Sequence, residues 1–117
     1  MPTQAPGKLI AARIAALADG AVAEVVIVER VLPYADKGRE AYARWHSGGA
    51  WSAWRLVAEH AQDISISPDM SQQEPSALIG VVIWVPAPAG SVAANHVAHR
   101  SAFFRLTASG VIPAASL

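Results

Sequence analysis

From Ser76 to Leu117 the chain carries no Asp or Glu; every acidic group lies earlier, between Asp19 and Glu74. The acid-free stretch breaks into three apolar runs, Ala77–Pro86, Ser91–Leu106 and Val111–Leu117, with Ala87-Pro88-Ala89-Gly90 and Thr107-Ala108-Ser109-Gly110 between them. Runs this apolar need a shared core, and Pro/Gly punctuation at this spacing is that of strands joined by turns. In such a meander the polar groups available to face inward are basic or imidazole: His96, His99, Arg100 and Arg105. An apolar hollow with a few convergent polar groups is the common form of a small-molecule site. A helix capped by Ser91 and ended by Gly110 is the competing reading of the middle run, with Val92, His96, His99 and Phe103 on one face. The Phe103-Phe104 pair and the hairpin-like turn at 107–110 favour strand.

Upstream, the pattern reads differently. Met1–Gly7 bears Pro and Gly and reads as a loose start. Lys8–Asp19 has apolar residues at Leu9, Ile10, Ile14 and Leu17 on an alanine-rich background, which predicts a helix ended by Gly20. Ala23–Leu32 is rich in Val and Ile, which favours a strand, with continuation of the helix after a break at Gly20 as the alternative. After a turn at Pro33–Asp36, Lys37–His46 predicts a short helix with Ala41, Tyr42 and Trp45 on one side, closed by Ser47-Gly48-Gly49. Trp51–Ser67 ends in a clear alternation at Ile64 and Ile66; extended back, the same face collects Trp54, Leu56, Ala58 and His60. Helices first and strands after predict an α+β fold, a single domain over residues 1–117.

Composition sets the outer limits. Hydrophobic residues make up 53% of the 117 residues and charged ones 15%, which excludes a disordered chain. So little charge predicts that a partner, most simply a second copy, covers apolar surface. A net charge of zero argues against nucleic acid, which demands a clustered positive surplus. The absence of cysteine excludes disulfides and thiolate metal sites. No apolar stretch approaches the ~20 residues of a membrane span, and the first residues lack the form of a signal peptide, so a cytoplasmic location is expected.

Four segments together resemble the SnoaL-like and ketosteroid-isomerase-like branch of the nuclear transport factor 2 superfamily. They are the opening segment ending Ala16–Gly20, the proline-bearing loop and Gly-Arg-Glu-Ala start within Leu32–Trp45, the strand ending in a turn Asp at Asp63–Asp69, and Ala102–Ile112. The resemblance implies a curved antiparallel sheet wrapped around N-terminal helices, a cone-shaped pocket, a homodimer and no metal or organic cofactor. It also implies a cofactor-free isomerase or polyketide-cyclase-like activity on a hydrophobic, steroid- or polyketide-like carbonyl compound. The chain departs from the pattern at Ser101 and Ala102, where the isomerases carry an Asp before the strand's Phe-Arg. That departure favours a non-catalytic ligand-binding or dimerisation module. A second resemblance, of Val25–Trp45 and Trp84–Phe104 to the antibiotic-biosynthesis monooxygenase type of ferredoxin-like dimer, requires a helical tail.

Candidate chemistry follows from these placements. His96 has the reference pKa for moving a proton near neutrality, and Arg100 has the fork of donors for an enolate or carboxylate oxygen. By analogy with the isomerases, Glu29 is the carboxylate placed to act as general base, and Tyr34 can donate to a carbonyl oxygen. The ligand-lining set is Trp54 and His60 on the apolar face before Ile64, Trp84 as a stacking surface, and Ala98, Ala102 and Phe104 on the strand face of Arg100. Metal binding is not expected: His96 and His99 chelate together only on a helix, and no third ligand is near in sequence.

Overall fold

The computed structural model describes residues 7–17, 19–29, 39–69, 74–86 and 97–114. Among them every regular element is a β-strand: β1 (Lys8–Ala16), β2 (Val22–Glu29), β3 (Arg39–Ser47), β4 (Ala50–Trp51), β5 (Arg55–Glu59), β6 (Ala61–Pro68), β7 (Ala77–Pro86), β8 (Val97–Thr107) and β9 (Gly110–Pro113). The first sheet runs β1-β2-β3-β4, with β5 also paired to β3; the second is the meander β6-β7-β8-β9. All ladders are antiparallel. The expected α+β fold, with helices inside a cone-shaped curved sheet, is therefore corrected to an all-β arrangement of two sheets.

Two expected helices are strands, and each has a physical reason. Lys8–Asp19 is rich in alanine, the best helix former, yet local propensity is a weak prior that tertiary pairing overrides. Here β1 pairs with β2 along its length, Ala12 opposite Val26 and Ala15 opposite Ala23. Gly20, read as a helix stop, instead closes the β1–β2 turn at φ 88°, with its N–H donating to Leu17 O and Ala21 N–H donating to Asp19 Oδ1. Both roles require the left-handed conformation, so the glycine by itself does not separate them. Arg39–Ser47 hides a period of two inside its helix-like composition. Ala41, Ala43 and Trp45 turn to the core, while Tyr42, Arg44 and His46 take the other face. Gly48 and Gly49, at φ 60° and 82°, form the tight hairpin turn to β4.

The core lies between the sheets. Val25, Ile27, Ala41, Ala43 and Trp45 from the first meet Ile64, Ala77, Ile79, Val81 and Leu106 from the second in one apolar cluster. Burying each Val, Ile or Leu there contributes about 1.5–3 kcal/mol before entropy is counted. The chain crosses between sheets at His60, which sits at φ 58° between β5 and β6. A β-bulge between Ala41 and Tyr42 precedes this corner: Tyr42 pairs with Leu56 but Ala41 with Ala58, leaving Val57 as the extra residue. The single face expected to hold Trp54, Leu56, Ala58 and His60 is therefore broken, with Leu56 outward at 48% exposure and Ala58 in the core.

β2 is unusual for an antiparallel strand because four consecutive residues, Val25 to Val28, are buried. A strand with one solvated face alternates; a continuous run needs cover on both sides. Val25 and Ile27 face the main core, while Val26 and Val28 join Tyr42 and Trp54 in a second cluster on the outer face of the first sheet. No helix among the described residues is long and apolar enough to cross a membrane.

Candidate functional site

The outer face of the first sheet carries the most organised group of polar and aromatic side chains. Arg44 and Glu24 are cross-strand partners, joined by Arg44 Nε to Glu24 Oε1 at 2.7 Å. The Arg44 guanidinium lies 3.9 Å from the centre of the Trp51 ring and 4.3 Å from that of Trp54. His46 leans on Trp51 with ring centres 4.8 Å apart, and Tyr42 Oη donates to Glu40 Oε1 at 3.1 Å. Ser52 makes this geometry possible. Its N–H donates to Trp45 O at 2.7 Å, and its Oγ accepts from Trp45 N–H at 2.9 Å. The segment between the two tryptophans is thus tied to β3, and both indoles flank one cation. A guanidinium so placed gains from ring quadrupoles and from a carboxylate together.

Two hollows lie elsewhere. One, of about 190 Å³, opens on the outer face of the second sheet between Asp63, Ser65, Gly80, Val82, Ser101 and Phe103. The other, of about 250 Å³, lies where Asp19, Trp45, Ser47, Glu74, Thr107 and Ser109 converge at one end of the sheets. Beside that second hollow, Arg55 Nη2 donates to Ala108 O at 3.5 Å. No group of three or more His, Cys, Asp or Glu able to hold a metal occurs among the described residues.

The residues expected from the sequence are distributed as follows. Glu29 ends β2, half-buried, with Arg39 and Lys8 as its strand partners. Arg100 is exposed on β8, opposite Ile83. Tyr34 and His96 lie outside the described residues. Ile83 pairs with both Ala61 and Arg100, and Glu59 pairs with Glu40, the partner of Val28, so Glu29 and Arg100 stand at the sheet ends that adjoin the His60 corner. Trp84 and Ala98 occupy β7 and β8, opposite His99 and Val85 respectively.

Two expected ligand-lining positions have other surroundings. Phe104 packs against the main core and Ala102 pairs with Val81, so this part of β8 closes on the opposite sheet. The strand reading of Val97–Thr107 holds, and its helical alternative does not. Trp54 packs on Val26, Val28 and Tyr42 and stacks on Arg44. Arg44 and Glu24 fall in the supposed helix and in the Val- and Ile-rich strand, and Ser52 at the ambiguous start of Trp51–Ser67, so none of the three stands out in the sequence. The available signal was period two through Tyr42, Arg44 and His46.

Comparison with known protein families, curated proteins and solved structures returns no match.

Proposed function

We propose that this chain is an association module that pairs with a second copy of itself through β1. The observation that carries the reading is the placement of exposed apolar side chains. Leu9, Ile10 and Ile14, at 56%, 38% and 63% exposure, all sit on this one strand. β1 is an edge: it pairs with β2 on one side and with no described strand on the other. Native edges are normally blunted by charge, proline or brevity, because a long apolar edge recruits another strand. This one is nine residues long and contains no proline; its blunting features are Lys8, Arg13 and the bulge at Ile10.

A second copy fits because the strand is self-complementary. In an antiparallel pair centred on Ala12, Ile14 of one copy approaches the bulged Leu9-Ile10 segment of the other. Lys8 and Arg13 then fall opposite Ala16 and Ala11, so no like charges face each other. The alanines leave the backbones free to approach. Arg13 Nη1 donates to Ala12 O at 2.9 Å, a local bond that an incoming strand's N–H replaces. The resulting two-fold contact joins two first sheets into one, with interface area added by the flanking outer faces. Association is preferred over proton transfer because that chemistry was inferred from an α+β cone, which the chain does not form.

Sedimentation over a range of concentrations tests this. The wild type is expected to run as a dimer and Ile14→Lys as a folded monomer, the new lysine having Glu24 as its cross-strand partner. Because the chain has no cysteine, Ala12→Cys supplies a single thiol that should cross-link two copies on mild oxidation. A wild-type monomer at every concentration, or a dimer indifferent to Ile14→Lys, rejects the reading.

A further inference from the structure

We propose that the hollow on the outer face of the second sheet is a binding site for one ring of a neutral sugar. It lies on a different sheet from the β1 edge. Three features of the chain build it. β7 carries Gly80 in mid-strand, directly opposite Phe103 on β8 and Ser65 on β6. A Cβ at Gly80 would stand 2.7 Å from Ser65 Oγ and 3.4 Å from Phe103 Cε1, so the missing side chain lets the serine hydroxyl and the phenyl ring sit close over the strand and line the hollow. A glycine inside a strand weakens it, and it often marks a close approach by a ligand or another backbone. The bulge between Ala61 and Asp63 leaves Gln62 and Asp63 both exposed, bringing the Asp63 carboxylate to the rim beside Ser65.

The lining specifies the ligand's chemistry. Phe103, 41% exposed, is an aromatic wall left open on a strand whose next residue, Phe104, packs into the core. The electron-rich face of an aromatic ring attracts polarised C–H groups, and the apolar face of a hexose presents a row of them. Ser65 and Ser101 offer hydroxyls that both donate and accept. Asp63 accepts from Ile64 N–H through Oδ1 at 2.9 Å, which orients the carboxylate toward sugar hydroxyls. Among the described residues the lining holds a carboxylate and no basic side chain, which disfavours an anion. A volume of about 190 Å³ is below the ~300–1,000 Å³ of drug-sized pockets and matches one ring rather than a polycycle.

The test is a titration followed through backbone amide resonances. The probes are tetrasaccharides of glucose, mannose, galactose and N-acetylglucosamine, with tetramethylammonium chloride as the cationic alternative. Saturable shifts at Ser65, Gly80, Ser101 and Phe103 with at least one sugar are expected. Phe103→Ala should weaken that binding at least about tenfold. Asp63→Asn keeps the Oδ1 acceptor for Ile64 N–H, so it should leave the fold intact and still weaken binding. Ile14→Lys should leave sugar binding unchanged. The proposal is overturned if no sugar shifts these amides, if neither Phe103→Ala nor Asp63→Asn weakens binding, or if tetramethylammonium is the only probe that moves them.

Discussion

Arg44 holds the outer face of the first sheet together because its flat cation has two indoles to rest on and one carboxylate to pair with. Trp51 and Trp54 lie within 4.3 Å of its guanidinium carbon, and the Glu24 bond is 2.7 Å. Lysine keeps the charge but loses planarity and the fork of donors. Arg44→Lys should therefore cost about 1–2 kcal/mol, read as a lower urea midpoint at unchanged slope. His60 is the second informative residue. Its φ of 58° is the left-handed conformation that L side chains enter at a cost of roughly 1–2 kcal/mol and that glycine enters freely. Because His60 already bears that cost, His60→Gly should not lower stability, whereas the β-branched side chain of His60→Val, still less tolerant of this φ, should; urea unfolding of both variants checks the difference. His60 appeared in the sequence as a candidate pocket residue because alternation ran through it. Its backbone makes it the corner between two sheets, and no periodicity reports a φ angle.

At the scale of elements, the segments misread from sequence are those rich in alanine. β3 contains the same alternation that identified Ile64 and Ile66, whereas β1 is exposed along most of its length; in both, alanine adds little hydrophobic contrast and much helix propensity. In β3 the inward set is Ala41, Ala43 and Trp45, so only the last gives the alternation strong hydrophobic contrast. The expected helices at Lys8–Asp19 and Lys37–His46 are thus replaced by strands whose identity comes from their partners. Backbone chemical shifts of Ala11–Ala16 and Ala41–Trp45 should take strand values, and far-UV circular dichroism should lack the double minimum of helix. β2, β6, β7 and the β8–β9 hairpin were legible because their β-branched residues and turn signals agree with their pairing.

At the scale of the molecule, the two sheets leave apolar surface that a single chain does not cover. The main core uses the inner faces, and the Val26–Val28–Tyr42 cluster uses part of an outer one. Leu9, Ile10 and Ile14 stay in solvent. If two copies join at β1, thermal stability becomes concentration-dependent, because only the folded chain presents a paired edge. The melting temperature of the wild type should then rise with protein concentration, and that of Ile14→Lys should not; differential scanning calorimetry at several concentrations separates them.

The amino-acid sequence by itself determined that this chain is a low-charge, core-forming protein with a strand-rich C-terminal half, that regular structure breaks at Gly20 and Gly48-Gly49, and that a hairpin turn falls at Thr107–Gly110. Those properties are local, since β-branching, Gly conformational freedom and hydrophobic contrast act within a few residues. Only the tertiary structure decided that the alanine-rich segments are strands, that β2 is buried on both faces, and that Arg44 meets Trp51 and Trp54 while Ser65, Gly80 and Phe103 surround one hollow. These depend on which strand lies beside which. That choice is made by pairing and packing between residues far apart in the chain, whose energies exceed the local preferences they override.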